Sequence, residues 1–98
     1  MLTDRQLIEE AIRSRESIEF GFMGYRRVVD PHIIGKDKEG VTTLFGWQTL
    51  SGKGSKPGWR HFRLDGLTGL LATGRNFVPQ LPKPNPEKCG FVGPVVQT

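Results

Sequence analysis

The hydrophobic period of this chain changes once, at Ser17, and that change limits its possible folds more than any other feature. Before it, Leu7, Ile8, Ala11 and Ile12 recur at the i, i+4 spacing of a helix that buries one side. After it, Ile18, Phe20 and Phe22 alternate strictly with Glu19 and Gly21, the period of a strand with one face on a core. The helix carries its own start signal. Thr3 and Gln6 fit the capping box, in which each side chain satisfies the other residue's free amide, and Leu2 and Leu7 occupy the two staple positions. It is therefore expected to begin at Thr3 or Asp4. A helix of about eleven residues does not hold alone in water, so its apolar stripe must pack on the strands that follow.

Those strands come at hairpin spacing. Met23-Gly24-Tyr25 reads as a turn, Arg26 to Asp30 as extended chain, and Pro31 as a break after which His32-Ile33-Ile34 continues past a bend or at an edge. Lys36 to Gly40 reads as a charged hairpin loop, and Val41 to Leu50 as the longest strand. Because Leu44 and Phe45 are neighbours, both faces of that strand are expected to be covered. Ser51 to Gly58 is a glycine-rich loop, Trp59 to Leu64 a strand, Asp65-Gly66 a turn and Leu67 to Ala72 the last strand. One helix and about five short antiparallel strands predict a mainly β domain, a strongly bent sheet or barrel with the helix against one side. Five of the seven prolines fall in the last twenty residues, so residues 1–77 read as the domain and 78–98 as an extended Pro-rich arm.

Composition narrows the class. A chain of 98 residues has room for one core. No run approaches the roughly 18 apolar residues of a membrane span, and Asp4, Glu9 and Glu10 stand where a signal peptide would be apolar, so a cytoplasmic protein without a membrane partner is expected. The single cysteine, Cys89, and the two histidines form no metal-ligand pattern, no nucleophile stands beside a base, and no carboxylate pair occupies the strand region. The expectation is a protein that is not an enzyme and needs no cofactor. The Gly52, Gly54 and Gly58 loop lacks the GK[ST] end of a phosphate loop and leads into a strand, so it reads as a basic hairpin loop.

Charge is uneven. Residues 1–20 hold three basic residues against five acidic ones, residues 21–98 eleven against five, and Gly40 to Leu64 contains no acid at all. Lys53, Lys56, Arg60 and Arg63 fall inside that stretch, which suits a phosphate-bearing partner, although a solvated basic face with no ligand is the commoner case in small proteins. Alternation puts Trp59, His61 and Arg63 on one side of their strand, and Arg60, Phe62 and Leu64 on the other, toward the core. Arg60 then sits at the rim or pairs with Asp30 or Asp65. A ring, an imidazole and a guanidinium side by side suit single-stranded nucleic acid, where bases stack and arginine takes phosphate; a solvated strand face with a half-buried Trp fits the same pattern.

The order of segments also resembles a known family. Leu7 to Ile12, Ile18-Glu19-Phe20, Arg27 to His32, Leu44 to Trp47 and Arg60-His61-Phe62-Arg63-Leu64-Asp65 together resemble the WYL domain of bacterial regulators over about residues 5 to 77, the last element being the most specific. The resemblance implies an Sm-like, SH3-type barrel with a leading helix and a ligand-sensing role in transcription regulation, the ligand being single-stranded nucleic acid or a nucleotide. Carried over, the ligand surface falls on Arg60 and Arg63, with His32 after the Asp-Pro and Thr43 to Trp47 beside it. Trp47 or Trp59 would supply the stacking ring, because Thr42-Thr43-Leu44 replaces the aromatic of the family's name motif, and Gly66 replaces a frequent arginine. The expected ligand set is thus Arg60, Arg63, His61, Trp59, His32, Trp47 and Thr43. The alternative is a protein-interaction or oligomerisation module, a homo-oligomer or a piece docked on a larger regulator, that takes no nucleic acid.

Overall fold

The structure, a computed structural model describing residues 1–98, is one antiparallel sheet of six strands with a single helix against it. Helix α1 (Asp4–Ser14) starts where the capping box places it. Gln6 donates its amide to Thr3 Oγ1 and Thr3 donates its own to Gln6 Oε1. Leu2, ahead of the cap, is 47% exposed. Ile8, Ala11 and Ile12 are buried on one side, and Arg15 ends the helix in the left-handed conformation.

The chain then runs through β1 (Glu16–Phe22), β2 (Tyr25–Asp37), β3 (Thr42–Ser51), β4 (Gly58–Arg63), a single 3-10 turn at Leu64–Gly66, and β5 (Thr68–Asn76). Met23 and Gly24 connect β1 to β2 with φ of 51° and 83°, the two positive values of a type I′ hairpin whose twist matches its strands. The order across the sheet is β4-β3-β2-β1-β5, and β4 and β5 are its two ends; no backbone ladder closes one on the other.

Two expectations about proline need correcting. The first is that Pro31 interrupts its strand; instead β2 runs unbroken for 13 residues with Pro31 buried inside it. On one edge β2 pairs with β3 from Arg27 to Lys36. On the other it pairs with β1 only as far as Val29, and a different strand takes over at Ile33. Pro31 lies in the gap between them, and the β2–β3 register shifts between Pro31 and Ile33, so the missing amide removes no ladder bond on the gapped edge.

The second concerns the strand that takes over. It is β6 (Phe91–Gln97), from the segment expected to be an extended Pro-rich arm, and it makes the count six rather than about five. Phe91 is buried there. Pro94 sits where the β2–β6 register slips, between the pairs Ile34↔Val96 and Lys36↔Val92, so it too escapes the ladder. Residues 78–90, without helix or strand, lead to β6 across the sheet.

Apolar residues collect on both sides of the β2–β3 centre. On the helix side Ile8, Ala11, Ile12, Ile18, Phe20, Val29, Ile34, Leu44, Phe62 and Leu67 form the main core, with Phe62 edge-on to Phe20 and Phe22 at 4.9 and 5.1 Å. On the other side Ile33, Phe45 and Phe91 form a smaller cluster under Trp59, Cys89 and Val95. The neighbours Leu44 and Phe45 thus serve opposite faces, as their adjacency predicts. Gly46 makes the bend possible: a Cβ there would meet Val29 Cγ1 at 2.6 Å and the Asp30 carbonyl oxygen at 2.7 Å.

Gly46→Ala is therefore expected to destabilise the fold by about 1–3 kcal/mol through overpacking, and Phe62→Ala by about 3–5 kcal/mol through the cavity it leaves. Urea titration followed by tryptophan fluorescence measures both; a loss for Gly46→Ala below about 0.5 kcal/mol would mean that β2 and β3 do not approach so closely.

Candidate ligand face on β3 and β4

The β3–β4 register sets the geometry of this face. Thr43 lies opposite Arg63, Phe45 opposite His61 and Trp47 opposite Trp59. Because side chains alternate along both strands, these six stand on the side away from the main core, while Leu44 and Phe62, also opposite each other, face inward. Five of the seven sequence-predicted residues, Thr43, Trp47, Trp59, His61 and Arg63, are therefore brought together.

Rings run almost continuously across this side. Trp59 stacks on Phe45 with centroids 4.8 Å apart and planes 8° from parallel, and it meets Trp47 edge-on at 5.3 Å and His32 edge-on at 4.9 Å. Phe45 also touches His61 at 4.6 Å, and Phe77 lies 5.3 Å from His32 at the far end. His61 is exposed, and its Nε2–H donates to the Cys89 carbonyl at 2.9 Å, which leaves Nδ1 as an acceptor. Trp47 and Trp59 are half-buried, and Thr43 is buried with its hydroxyl donating to the Val41 carbonyl at 3.2 Å.

A cleft of about 570 Å³ opens at the Arg63 end, lined by Thr43, His61 and Arg63 together with Asp37, Lys38 and Glu39 of the β2–β3 turn and Cys89 to Phe91. The guanidinium of Arg63 is open to solvent. Its Nε lies 3.8 Å from Asp65 Oδ1, a loose pair between two exposed side chains that leaves it available to an anion. Asp37 is already engaged, since its Oδ1 accepts the amides of Glu39 and Val41. Lys38 adds a second cation at the mouth and Glu39 an acid. The cleft thus offers an apolar and aromatic floor with charges of both signs at its rim.

The remaining two predicted residues are not free on this face: Arg60 lies on the other side of β4, and His32 is buried beneath Trp59. Arg60 points to the opposite side of β4 from Arg63, as alternation requires, so one ligand face does not hold both. Its Nη1 donates to the Trp59 carbonyl and its Nη2 to the Lys56 carbonyl, each at 2.9 Å, which ties down the loop before β4. No carboxylate pairs with it: Asp30 accepts from Ser17 Oγ at 2.7 Å, and Asp65 faces Arg63. His32 is fully buried with both ring nitrogens occupied. Nδ1–H donates to the Asp30 carbonyl at 2.7 Å, and Nε2 accepts the Gln80 amide at 3.0 Å. That pairing fixes a neutral tautomer, and burial holds its pKa below the ordinary 6.5 against the opposing pull of its bond to Asp30 and the charge of that residue.

Sequence reasoning missed the turn residues Asp37, Lys38 and Glu39 and the later Cys89 and Phe91. The first three carried a signal: a charged hairpin loop next to the start of β3 must lie beside the end of β4, because antiparallel pairing sets Thr43 against Arg63. Cys89 and Phe91 carried none, sitting in a segment whose composition reads as unpaired chain. No protein-family model, curated protein or solved structure matches this chain. No helix is long and apolar enough to cross a membrane.

Burial also pushes the Cys89 thiol above its ordinary 9.0. Iodoacetamide is therefore expected to alkylate Cys89 several-fold more slowly than free glutathione at about pH 8, because the thiolate is the nucleophile. A rate equal to that of glutathione, read by intact-mass spectrometry, would contradict the packing around it.

Proposed function

We propose that this chain is a ligand-sensing regulatory module that binds single-stranded nucleic acid or a nucleotide across the β3–β4 face. The observation that carries the reading is the register that sets Thr43, Phe45 and Trp47 against Arg63, His61 and Trp59 beside a cleft of about 570 Å³. A volume in that range suits a nucleotide or one or two bases of a strand. Rings supply stacking surface, Arg63 and Lys38 supply charge for phosphate, and His61 Nδ1 with Glu39 supplies acceptors for amino groups of a base. The likeness to the WYL domain supports the same reading. The leading helix, the order β4-β3-β2-β1-β5 and the register slip in β2 favour an Sm-like, SH3-type barrel as its scaffold.

Polarisation of a fluorescent oligothymidylate tests this. Binding is expected to weaken with salt, log affinity falling by about 0.7 per phosphate neutralised per decade of salt. Arg63→Ala should reduce affinity and lower that slope by about 0.7, Trp47→Ala should cost about 1–3 kcal/mol of stacking, and Arg60→Ala, on the other side of the strand, should change neither. If Arg63→Ala binds as tightly as wild type at low salt, the site is not this face.

A second reading, assembly through a strand edge, rests on β5. Its one partner is β1, most of its residues are exposed, and Leu71 is 45% exposed on it. Such an edge invites pairing with another strand. If assembly is the function, light scattering will report a dimer or larger ring that Leu71→Lys dissociates, and the oligonucleotide will not bind.

A further inference from the structure

The chain has two histidines, and both hold the same segment. Residues 77–90 cross the ring row between β5 and β6. At one end the Phe77 amide donates to the Arg15 carbonyl at 2.9 Å, and the Gln80 amide donates to His32 Nε2. At the other His61 Nε2–H donates to the Cys89 carbonyl. Between them Gln97 Nε2 reaches the Pro84 carbonyl at 2.7 Å. Apolar contact is confined to the two ends, Phe77 beside His32 and Cys89 on the Phe45 and Phe91 cluster; between them Val78 is 86% and Leu81 83% exposed. The strap is thus tied by a few polar bonds, and the two histidine ties respond oppositely to a proton. His61 already donates from Nε2 and keeps that bond when its ring is charged. His32 accepts at Nε2, and a proton there sets N–H against N–H in a site without water access.

We propose that residues 77–90 form a proton-operated strap: protonation of His32 at Nε2 breaks its bond to the Gln80 amide, and the strap lifts at that end while His61 retains it at Cys89. Lifting uncovers the His32 and Trp59 edge of the ring row; that this exposes stacking surface for a ligand rests on the function proposed above.

The charged groups around His32 are few. Asp30 on its own strand favours the imidazolium, but its carboxylate is engaged by Ser17. Arg15, at the end of α1, and Lys83, within the strap, line the shallow cleft beside Gln80, as does Thr98, whose amide donates to the His32 carbonyl at 3.0 Å. Trp59 from β4 and Phe77 carry no charge. Burial is the largest influence, so the closed state holds His32 below 6.5, and release returns it there. The closed strap is therefore fully favoured above pH 6.5 and loses ground as the pH falls from 6.5 toward the lower closed-state value, the open population rising about tenfold per pH unit.

Hydrogen exchange by mass spectrometry on the full chain, at about pH 7.5 and 5.5 and corrected for intrinsic rates, reads this directly. Residues 77–88 are expected to lose protection at the lower pH, by up to about tenfold, while β2 and β3 keep theirs. In His32→Gln, which has no proton to take up, the pH dependence should vanish. Gln80→Pro lacks the donating amide and leaves His32 intact; it should give an open strap at both pH values in a chain whose β2 and β3 remain protected. Equal protection of 77–88 at the two pH values in wild type overturns the proposal, as does a pH response that persists in Gln80→Pro. Oligonucleotide that never binds while the strap still opens removes the ligand reading alone.

Discussion

Every other part of this molecule depends on how β2 is paired. One strand of 13 residues carries β3 along one edge, and β1 followed by β6 along the other. The change of partner falls at residues 30–32, where Pro31 has no amide to leave unpaired and the ladder to β3 slips by one residue. Gly46 opposite Pro31 lets the two backbones close on the inside of the bend. Because β1 pairs only as far as Val29, the edge of β2 from Ile33 onward is open to β6.

The bend also divides the chemistry. Residues on its helix side bury aliphatic and phenyl groups around Phe62, and residues on its outer side bring tryptophan and histidine rings into one row. Alternation along β4 then sends neighbouring arginines to different tasks. Arg60, on the inner side, fastens the preceding loop through two carbonyls, and Arg63, on the outer side, stays in solvent at the mouth of a cleft. One charge is consumed by structure and the other is free for a ligand, though the two residues stand three apart in the same strand.

The outer row is not a bare surface. Phe77 closes one end of it and Phe91 the other, both from beyond the last strand that local patterning reveals. His32, which the resemblance to the WYL domain offers as a binding residue, is sealed beneath this cover and binds the chain itself. A buried imidazole with both nitrogens engaged is a structural tie, and its position links the cover to pH.

Local pattern made the helix legible, because the stripe of Ile8, Ala11 and Ile12 and the Thr3 to Gln6 box are properties of neighbouring residues. The same holds for the inward side of β1, the Met23-Gly24 turn, the two-sided burial of Leu44 and Phe45, and the grouping of Trp59, His61 and Arg63, all of which follow from a period of two. Proline broke that legibility twice. Pro31 and Pro94 each argue against a strand by local rules, and each sits in one: Pro31 where the second edge of β2 has no partner, and Pro94 where the register to β2 slips. Where β6 joins, what Arg60 and His32 bond to, and which turn residues line the cleft were decided by the tertiary structure alone. Those outcomes depend on contacts between segments tens of residues apart, and the free energy of such a contact is set by the partner's surroundings, which no local period encodes.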